Sequence, residues 1–503
     1  MPDGSQRVEL GRGGRLRGAA APELVEAAYA REAAHGPALA TALSTADLAH
    51  ALVLAESGAI EEPDASRLLA GLLELDSVPG EDFPWDPELG DAFVAREAEL
   101  RRRVGASAAG WLSAGRPRRE AFRVAVRLVA RDGAADLALA SLDLADAAID
   151  QAEATAADLA ADYTYLQPAQ PSTVGHLLLA YAYPALRDAE RLDRLDGWLG
   201  ASPAGAGGSA GSRWPLDRER LAGLLGFPRV ARHVRDAMWQ ADGYAELAGA
   251  VAIAATHQSQ LAQDLEILAS NEFAFVELAD EHSRASALMP QKRNPYALAA
   301  IRTQAGVATG DAAAIQVALH TGSARTDHFH LLNGSIPRLL PEASSITRLS
   351  AAVVRGLRVD VERWGEAARR GGTAAADVAD LVARTTELDY RTAHTVVGRA
   401  VRDLADAGRE LGSLRAEELA AAARESVSRE IDVDPDQLAD ALDPAACVLE
   451  RHQSGSTRPG EVAAMVAECR ERSAGLRRAA EGVRRELEDA RGALLQAAAD
   501  RSG

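Results

Sequence analysis

Apolar residues recur at helical spacing along most of the chain. Helix-length patterns occupy residues 19–80, and a Pro/Asp/Glu-rich connector at 78–87 breaks them. Gly115, Arg116 and Pro117 mark a second boundary, beyond which the patterns lengthen. Leu142, Ala145, Ile149, Ala152, Ala156 and Leu159 alternate steps of three and four, as do Tyr244, Leu247, Val251, Ala254, Gln258, Leu261, Leu265 and Leu268. A sustained seven-residue repeat keeps one apolar seam straight, which is what a bundle of long helices requires. The Gly-rich stretch 205–211 interrupts this region as a loop. It lacks GxGxxG spacing and follows no strand signal, so it offers no nucleotide site. After Gly371 and Gly372 the helical patterns shorten, with loops near 432–435 and 454–459. No internal repeat and no strand-rich segment is visible. The expectation is an all-α fold in three helical units: 1–115, a central long-helix bundle at 116–362, and 363–503.

Composition supports this reading. Of the 503 residues, 47% are hydrophobic and 26% charged, the balance of a folded globular protein. Aromatics make up only 4%, and Ala and Leu, both strong helix formers, dominate. A formal charge of −19 argues against nucleic acid, whose phosphates attract basic surfaces. It leaves room for an anionic small molecule if positive charge is gathered locally. Cys447 and Cys469, both late in the chain, read as reduced thiols. The Arg-rich start (Arg7, Arg12, Arg15, Arg17) is followed by no apolar signal core, and no window is read as reaching membrane-spanning length, so no membrane partner and a cytoplasmic location are expected.

Lys292 is the sole lysine in a chain whose other fixed cations are arginines. A compact ammonium differs from a planar guanidinium in shape and donor geometry, so its retention points to a role that Arg cannot fill. It sits in the segment running from Ser283 through Ser286, Met289, Pro290, Lys292 and Asn294 to Pro295. This segment resembles the GSSxMPxKxNP motif of the argininosuccinate lyase/fumarase superfamily, with Ala285 and Ala287 replacing the Gly and one Ser. Removing a proton from the carbon beside a carboxylate builds a second negative charge on that carboxylate. Fixed positive charge and hydrogen-bond donors must meet it there, and Lys292 and Asn294 suit that task. The resemblance implies that Ser286 is the catalytic base on a loop, and that Met289 contacts substrate.

A second stretch, from Thr164, Tyr165 and Gln167 through Pro168 and Pro171 to His176, is similar to the THLQxAQPxxFGH run of argininosuccinate lyases. It implies substrate contacts at Thr164 and Gln167 and a catalytic role for His176. Tyr165 stands where the family has a histidine assigned to leaving-group protonation. A phenol of pKa about 10 is a weaker acid than imidazolium, so either Tyr165 serves a basic leaving group, the leaving group needs no strong acid, or another residue substitutes. For His176 a purely packing role weighs equally.

The substrate-pocket blocks depart further. Where the family has HTGRSRNDQ this chain keeps Arg118 but carries Arg119 and Glu120, both arginines being read as substrate ligands. Glu32 and Gly36 stand near the family's N-terminal ligands, and the family's YNKDLQ run has become residues 324–329. A hydrogen-bonding pocket with changed partners rejects the old substrate. The resemblance therefore implies β-elimination from a substituted succinate with release of fumarate, from an N-substituted aspartate or nitrosuccinate rather than argininosuccinate. Argininosuccinate cleavage proper is one alternative. A non-catalytic descendant is another, since this fold also serves as a lens crystallin. The resemblance further implies a homotetramer with each site built from three subunits, near 116–120, 164–176 and 286–294, acting on a small anionic dicarboxylate. No cofactor or metal is called for: His320, His328 and His330 lack a third ligand at metal spacing. The acids Asp143, Asp146 and Asp150 read as a solvated helix face.

Overall fold

The computed structural model describes residues 20–322 and 324–503, so the arginines at 7, 12, 15 and 17 lie outside the described residues. The elements used below are α1 (Gly36–Glu56), α2 (Glu62–Asp76), α3 (Ala92–Gly110), α4 (Arg118–Ala154), β1 (Leu159–Thr164), β2 (Gln167–Thr173), α5 (Val174–Leu199), α6 (Asp242–Leu268), β3 (Arg284–Ala285), β4 (Arg293–Asn294), α7 (Tyr296–Ala318), α8 (Asp327–Arg355) and α9 (Pro459–Ser502). The expected all-α architecture is what the chain adopts. The 37-residue α4 is its axis, flanked by α5, α8 and α9. Leu137, Leu142 and Ile149 of α4 meet Leu178 and Leu186 of α5 and Leu332 and Leu339 of α8, all buried. Three shorter helices (Ala375–Thr385, Tyr390–Asp406, Ala416–Val427) close on a separate apolar core that includes Val378, Val396 and Leu419.

Four expectations need correction. The α4 seam does not run on to Leu159. The helix ends at Ala154, Thr155 leaves helical geometry at φ −122°, and Leu159 opens strand β1. The start of α5 packs closely on that end: a Cβ on Gly175 would lie 2.4 Å from the Ala152 carbonyl oxygen. Secondly, the chain has an antiparallel hairpin, β1 with β2, pairing Leu159 with Thr173 and Thr164 with Gln167. Its turn residues Tyr165 and Leu166 hold φ of 53° and 58°. Such two-residue turns normally call on Asn or Gly, and β2 contains two prolines, so neither usual strand signal was present.

Thirdly, the acids of α4 are only in part a solvated face: Asp150 stays exposed, but all three acids pair with α9. Arg477 of α9 lies 2.9 Å from Asp143 and 2.8 Å from Asp146, Ser473 donates to Asp146 at 2.6 Å, and Arg470 pairs with Asp150 at 2.9 Å. The last 44 residues of ordered helix thus return to the central bundle by charge matching. Finally, α1 is long and apolar enough to cross a membrane, but 89% of its apolar window is buried in the protein core. Both cysteines are free and buried.

The entry to α4 is fixed by charge in the interior. Asp47 of α1 receives Arg96 Nε and Nη2, each at 3.2 Å, and also pairs with Arg116, all three side chains being at most 2% exposed. One turn on, the buried Glu120 carboxylate accepts the Gly205 and Gly207 N–H groups, each at 2.7 Å. That pair of bonds ties the Gly-rich loop to the helix start.

Candidate active site

The residues singled out in the sequence fall into three groups. Within one chain, and among the described residues, no hydrogen bond or ion pair joins one group to another.

The first group occupies the β3–β4 hairpin. Arg284 pairs with Asn294, whose Nδ2 donates to the Arg284 carbonyl at 3.0 Å. Arg293 roots the hairpin on the preceding segment through Glu277 and, at 2.7 Å, Asp280. At the hairpin's tip, Ser286 Oγ receives the Met289 N–H at 3.0 Å and the Leu288 N–H at 3.3 Å. Donors converging on a hydroxyl oxygen favour its ionised form, because they stabilise the charge the alkoxide would carry. Lys292 is exposed, and its ammonium has no hydrogen bond or ion pair among the described residues; its own N–H closes the loop on the Met289 carbonyl at 3.1 Å. Leu288 and Met289 are exposed as well.

The second group is the β1–β2 hairpin and the start of α5. Tyr165 is wholly exposed at its tip, and Thr164 and Gln167 flank it as the last strand pair. A non-glycine residue in the left-handed region costs about 1–2 kcal/mol, so the turn stores strain at Tyr165 and Leu166. Thr173 caps α5, its Oγ1 accepting the His176 N–H at 3.2 Å. The His176 ring reaches the Gly455 carbonyl at 3.3 Å and Ser172 Oγ at 3.5 Å, spanning from the hairpin to the loop that precedes α9.

The third group is a cleft, and here the stretches that depart most from the family pattern meet. Glu32, Arg118 and Arg119, and Thr326 and Phe329 all line it, with Asp91, Arg123, His330 and Asn333. Sequence reading missed Asp91, Arg123 and Asn333 as wall residues and weighed His330 only as a metal ligand. Arg118 pairs with Asp91 at 3.1 Å, and His330 Nδ1 lies 2.9 Å from Glu32 Oε1. Burial opposes ionisation of Glu32, but the His330 hydrogen bond and charge, with Arg118, outweigh it and hold its carboxyl below the usual range. The same hydrogen bond, working against burial, lifts His330 above its usual value. Burial pushes the Asp91 carboxyl up despite Arg118. Arg123, stacked 2.9 Å from the Phe329 ring centre, is lowered by burial to about 9 and stays protonated at neutral pH.

Residues 20–310 match the family described as Lyase, and 372–449 match the argininosuccinate lyase C-terminal family. The argininosuccinate lyase of Methanoculleus marisnigri is 33% identical over 430 residues, covering 84% of this chain and 85% of the relative. Among solved structures, EDDS lyase in complex with formate superposes with a TM-score of 0.85 at 26% identity, covering 96% of each chain. An EDDS lyase variant with bound fumarate gives the same TM-score at 27% identity and the same coverage. The hairpin with Ser286 and Lys292, the long-helix bundle and these matches agree: the chain belongs to the argininosuccinate lyase-like branch of the fumarase/aspartase superfamily and is a carbon–nitrogen lyase.

Proposed function

We propose that the enzyme catalyses β-elimination from an N-substituted aspartate, releasing fumarate and an amine other than arginine. The observation that carries this reading is the cleft: its three changed stretches line it together, and Arg118, Arg119 and Arg123 there outnumber the carboxylates of Glu32 and Asp91. A guanidinium leaving group would face like charge there, which disfavours argininosuccinate. The base is Ser286, whose Oγ already receives two backbone N–H groups. Lys292 and Asn294 meet the charge that develops on the succinyl carboxylate as the Cβ proton leaves. Electron density from that carbon then forms the double bond and expels the nitrogen. Tyr165 returns a proton to the departing amine, which its weak acidity allows only for a basic leaving group; Thr164, Gln167 and Met289 position substrate, and His176 steadies the hairpin.

The exposure of Tyr165, Leu288 and Lys292, and the separation of the three groups within a chain, support a homotetramer that assembles each site from neighbouring subunits. Identity of 33% to an argininosuccinate lyase favours a second reading, cleavage of argininosuccinate itself. Absorbance in the fumarate band decides between them on a panel of argininosuccinate, N-alkyl and N-carboxyalkyl aspartates, and nitrosuccinate. Fumarate from the N-substituted aspartates, with argininosuccinate inert, is the expected result. Turnover of argininosuccinate at ordinary enzymatic rates overturns it in favour of the second reading, and nitrosuccinate as the sole substrate overturns the amine.

A further inference from the structure

The β3–β4 hairpin carries Ser286, Lys292 and Asn294, yet little within the protomer holds it in place. No residue from Arg284 to Asn294 is buried, so apolar packing contributes little to its placement. Its ladder is two residue pairs long, Arg284 with Asn294 and Ala285 with Arg293, and a two-stranded hairpin is marginal by itself. Beside its base lies a cavity of about 750 Å³, lined by Asn271, Glu277, Ser283, Arg293, Arg358 and Glu362 among others, rather than a packed floor. Among the described residues, Arg293 is the only member of the hairpin whose side chain makes a hydrogen bond or ion pair outside it. Its guanidinium donates to the Glu277 carboxylate, to the Leu278 carbonyl and, at 2.7 Å, to Asp280 Oδ1. The anchor is itself fixed: Glu277 also takes Arg358 at 3.0 Å, and Val276–Glu277 pairs antiparallel with Arg358–Val359, just beyond α8.

We infer that Arg293 is a positioning residue for the elimination, the latch that sets where Ser286, Lys292 and Asn294 stand. The inference rests on the reading of this hairpin given above and deepens it. Arg293 lies between Lys292 and Asn294 in sequence and opposite Ala285, the residue before Ser286, so one anchored side chain governs all three. The planar guanidinium fork spans three acceptors in succession, which a single ammonium does not do with the same geometry. Ion pairs this exposed add little to overall stability. Their effect falls instead on placement, because donors have to stand where charge develops, and an offset of about 1 Å costs up to roughly 100-fold in rate. The latch acts through the hairpin and not on substrate, its fork being turned to Glu277, Leu278 and Asp280.

The test needs no knowledge of the leaving group. Calorimetry on the purified full-length protein compares succinate with pre-ionised 3-nitropropionate, whose nitronate copies the doubly charged carboxylate that forms as the Cβ proton leaves. The wild type should bind the nitronate at least about tenfold more tightly, the effect of one charge-assisted contact, and Lys292→Met should abolish that preference. Arg293→Met should bring it most of the way to unity while succinate affinity and melting temperature stay near wild type, with Arg293→Lys between. Glu277→Gln combined with Asp280→Asn should reproduce the loss, and adding Arg293→Met to that pair should cost nothing further, since groups acting as one unit are not additive. A nitronate preference undiminished in Arg293→Met overturns the latch and leaves the reading of the hairpin standing. Equal loss of both ligands with a lowered melting temperature also overturns it, since the role would then be general folding. No preference in the wild type, or one that survives Lys292→Met, removes the reading of the hairpin and the latch together.

Discussion

Replacing Asp47 with Ala removes the shared counter-charge of two buried guanidiniums, and its cost can be worked from the contacts. Arg96 and Arg116 are both 2% exposed. Asp47 receives two bonds from Arg96 and one from Arg116. Each charged hydrogen bond valued alone is worth about 1.5–3 kcal/mol, but the three share one carboxylate and do not add. The larger consideration is what remains. Arg96 keeps Ser44 Oγ at 2.9 Å and Arg116 keeps the Ala46 carbonyl at 2.9 Å, neither of which neutralises charge. Breaking a buried pair by deleting one partner costs about 3–5 kcal/mol, and this case falls within that range, since Glu97 and Glu120 still act on Arg116 through space. Against a total of about 5–15 kcal/mol, that is a large share.

The neighbouring His50 cannot compensate: it is fully buried, and burial followed by Arg116 keeps its imidazole well below its usual value, hence neutral. Urea unfolding followed by helical circular dichroism measures the loss, with amide exchange of α1 and α3 locating it. A companion variant, Asp47→Leu with Arg96→Met and Arg116→Met, removes the charges together. It should regain most of the stability, since apolar replacement of a whole buried network is often neutral. Its activity should remain low, because Arg116 sets the start of α4 from which Arg118 and Arg119 project. A loss below about 1 kcal/mol for Asp47→Ala would refute the reasoning, showing that water reaches these guanidiniums.

Ser286→Ala should lower kcat by roughly 100-fold or more, the usual contribution of a positioned proton acceptor, with oligomeric state on gel filtration unchanged; near-normal turnover would exclude Ser286 as the base. Glu32→Gln should shift the His330 titration in NMR to lower pH, since the Glu32 hydrogen bond is the leading cause of its elevation. A folded-state value raised above the unfolded one means the pair stabilises fully below the ordinary histidine pKa and loses that contribution as pH rises through the raised value. Urea midpoints of wild type minus Glu32→Gln should therefore converge toward alkaline pH, and divergence would contradict the assignment. Gly207→Ala should destabilise by about 1–3 kcal/mol, because φ is 62° and the added Cβ would lie 2.7 Å from Gly211 backbone atoms. Thermal melting checks it, and an unchanged midpoint would mean that the loop can rearrange.

The long helices were legible because their signal is redundant. The α6 seam from Tyr244 to Leu268 repeats the apolar step many times, and the structure runs Asp242–Leu268. The β3–β4 hairpin stood out in the sequence for a different reason: a single lysine against an arginine background draws the eye to Ser286 and Asn294. What periodicity could not supply was any fact depending on a distant partner. The acids Asp143, Asp146 and Asp150 read correctly as one face of a helix, but the arginines that cover them lie more than three hundred residues away in sequence. The cleft is hidden in the same way, since Glu32, Asp91, Arg119 and His330 come from four separate stretches and none forms a local motif.

The turn at Tyr165 and Leu166 was illegible because local propensity and tertiary structure disagree there. Two bulky residues in left-handed geometry, followed by Pro168 and Pro171, argue against a hairpin at every local level, yet β1 and β2 pair. A sequence under selection for stability alone would place Asn-Gly in that turn and gain back the strain. Conflicts of this kind collect at working sites, where a side chain is kept for what it touches rather than for how it folds. Tyr165 is wholly exposed in the single chain, so nothing within the protomer rewards the strained geometry. In the proposed tetramer a neighbouring subunit or substrate would supply the compensation, which would tie the oddest local geometry in the chain to the assembly proposed to unite Ser286, the Thr164–His176 segment and the Arg119 cleft.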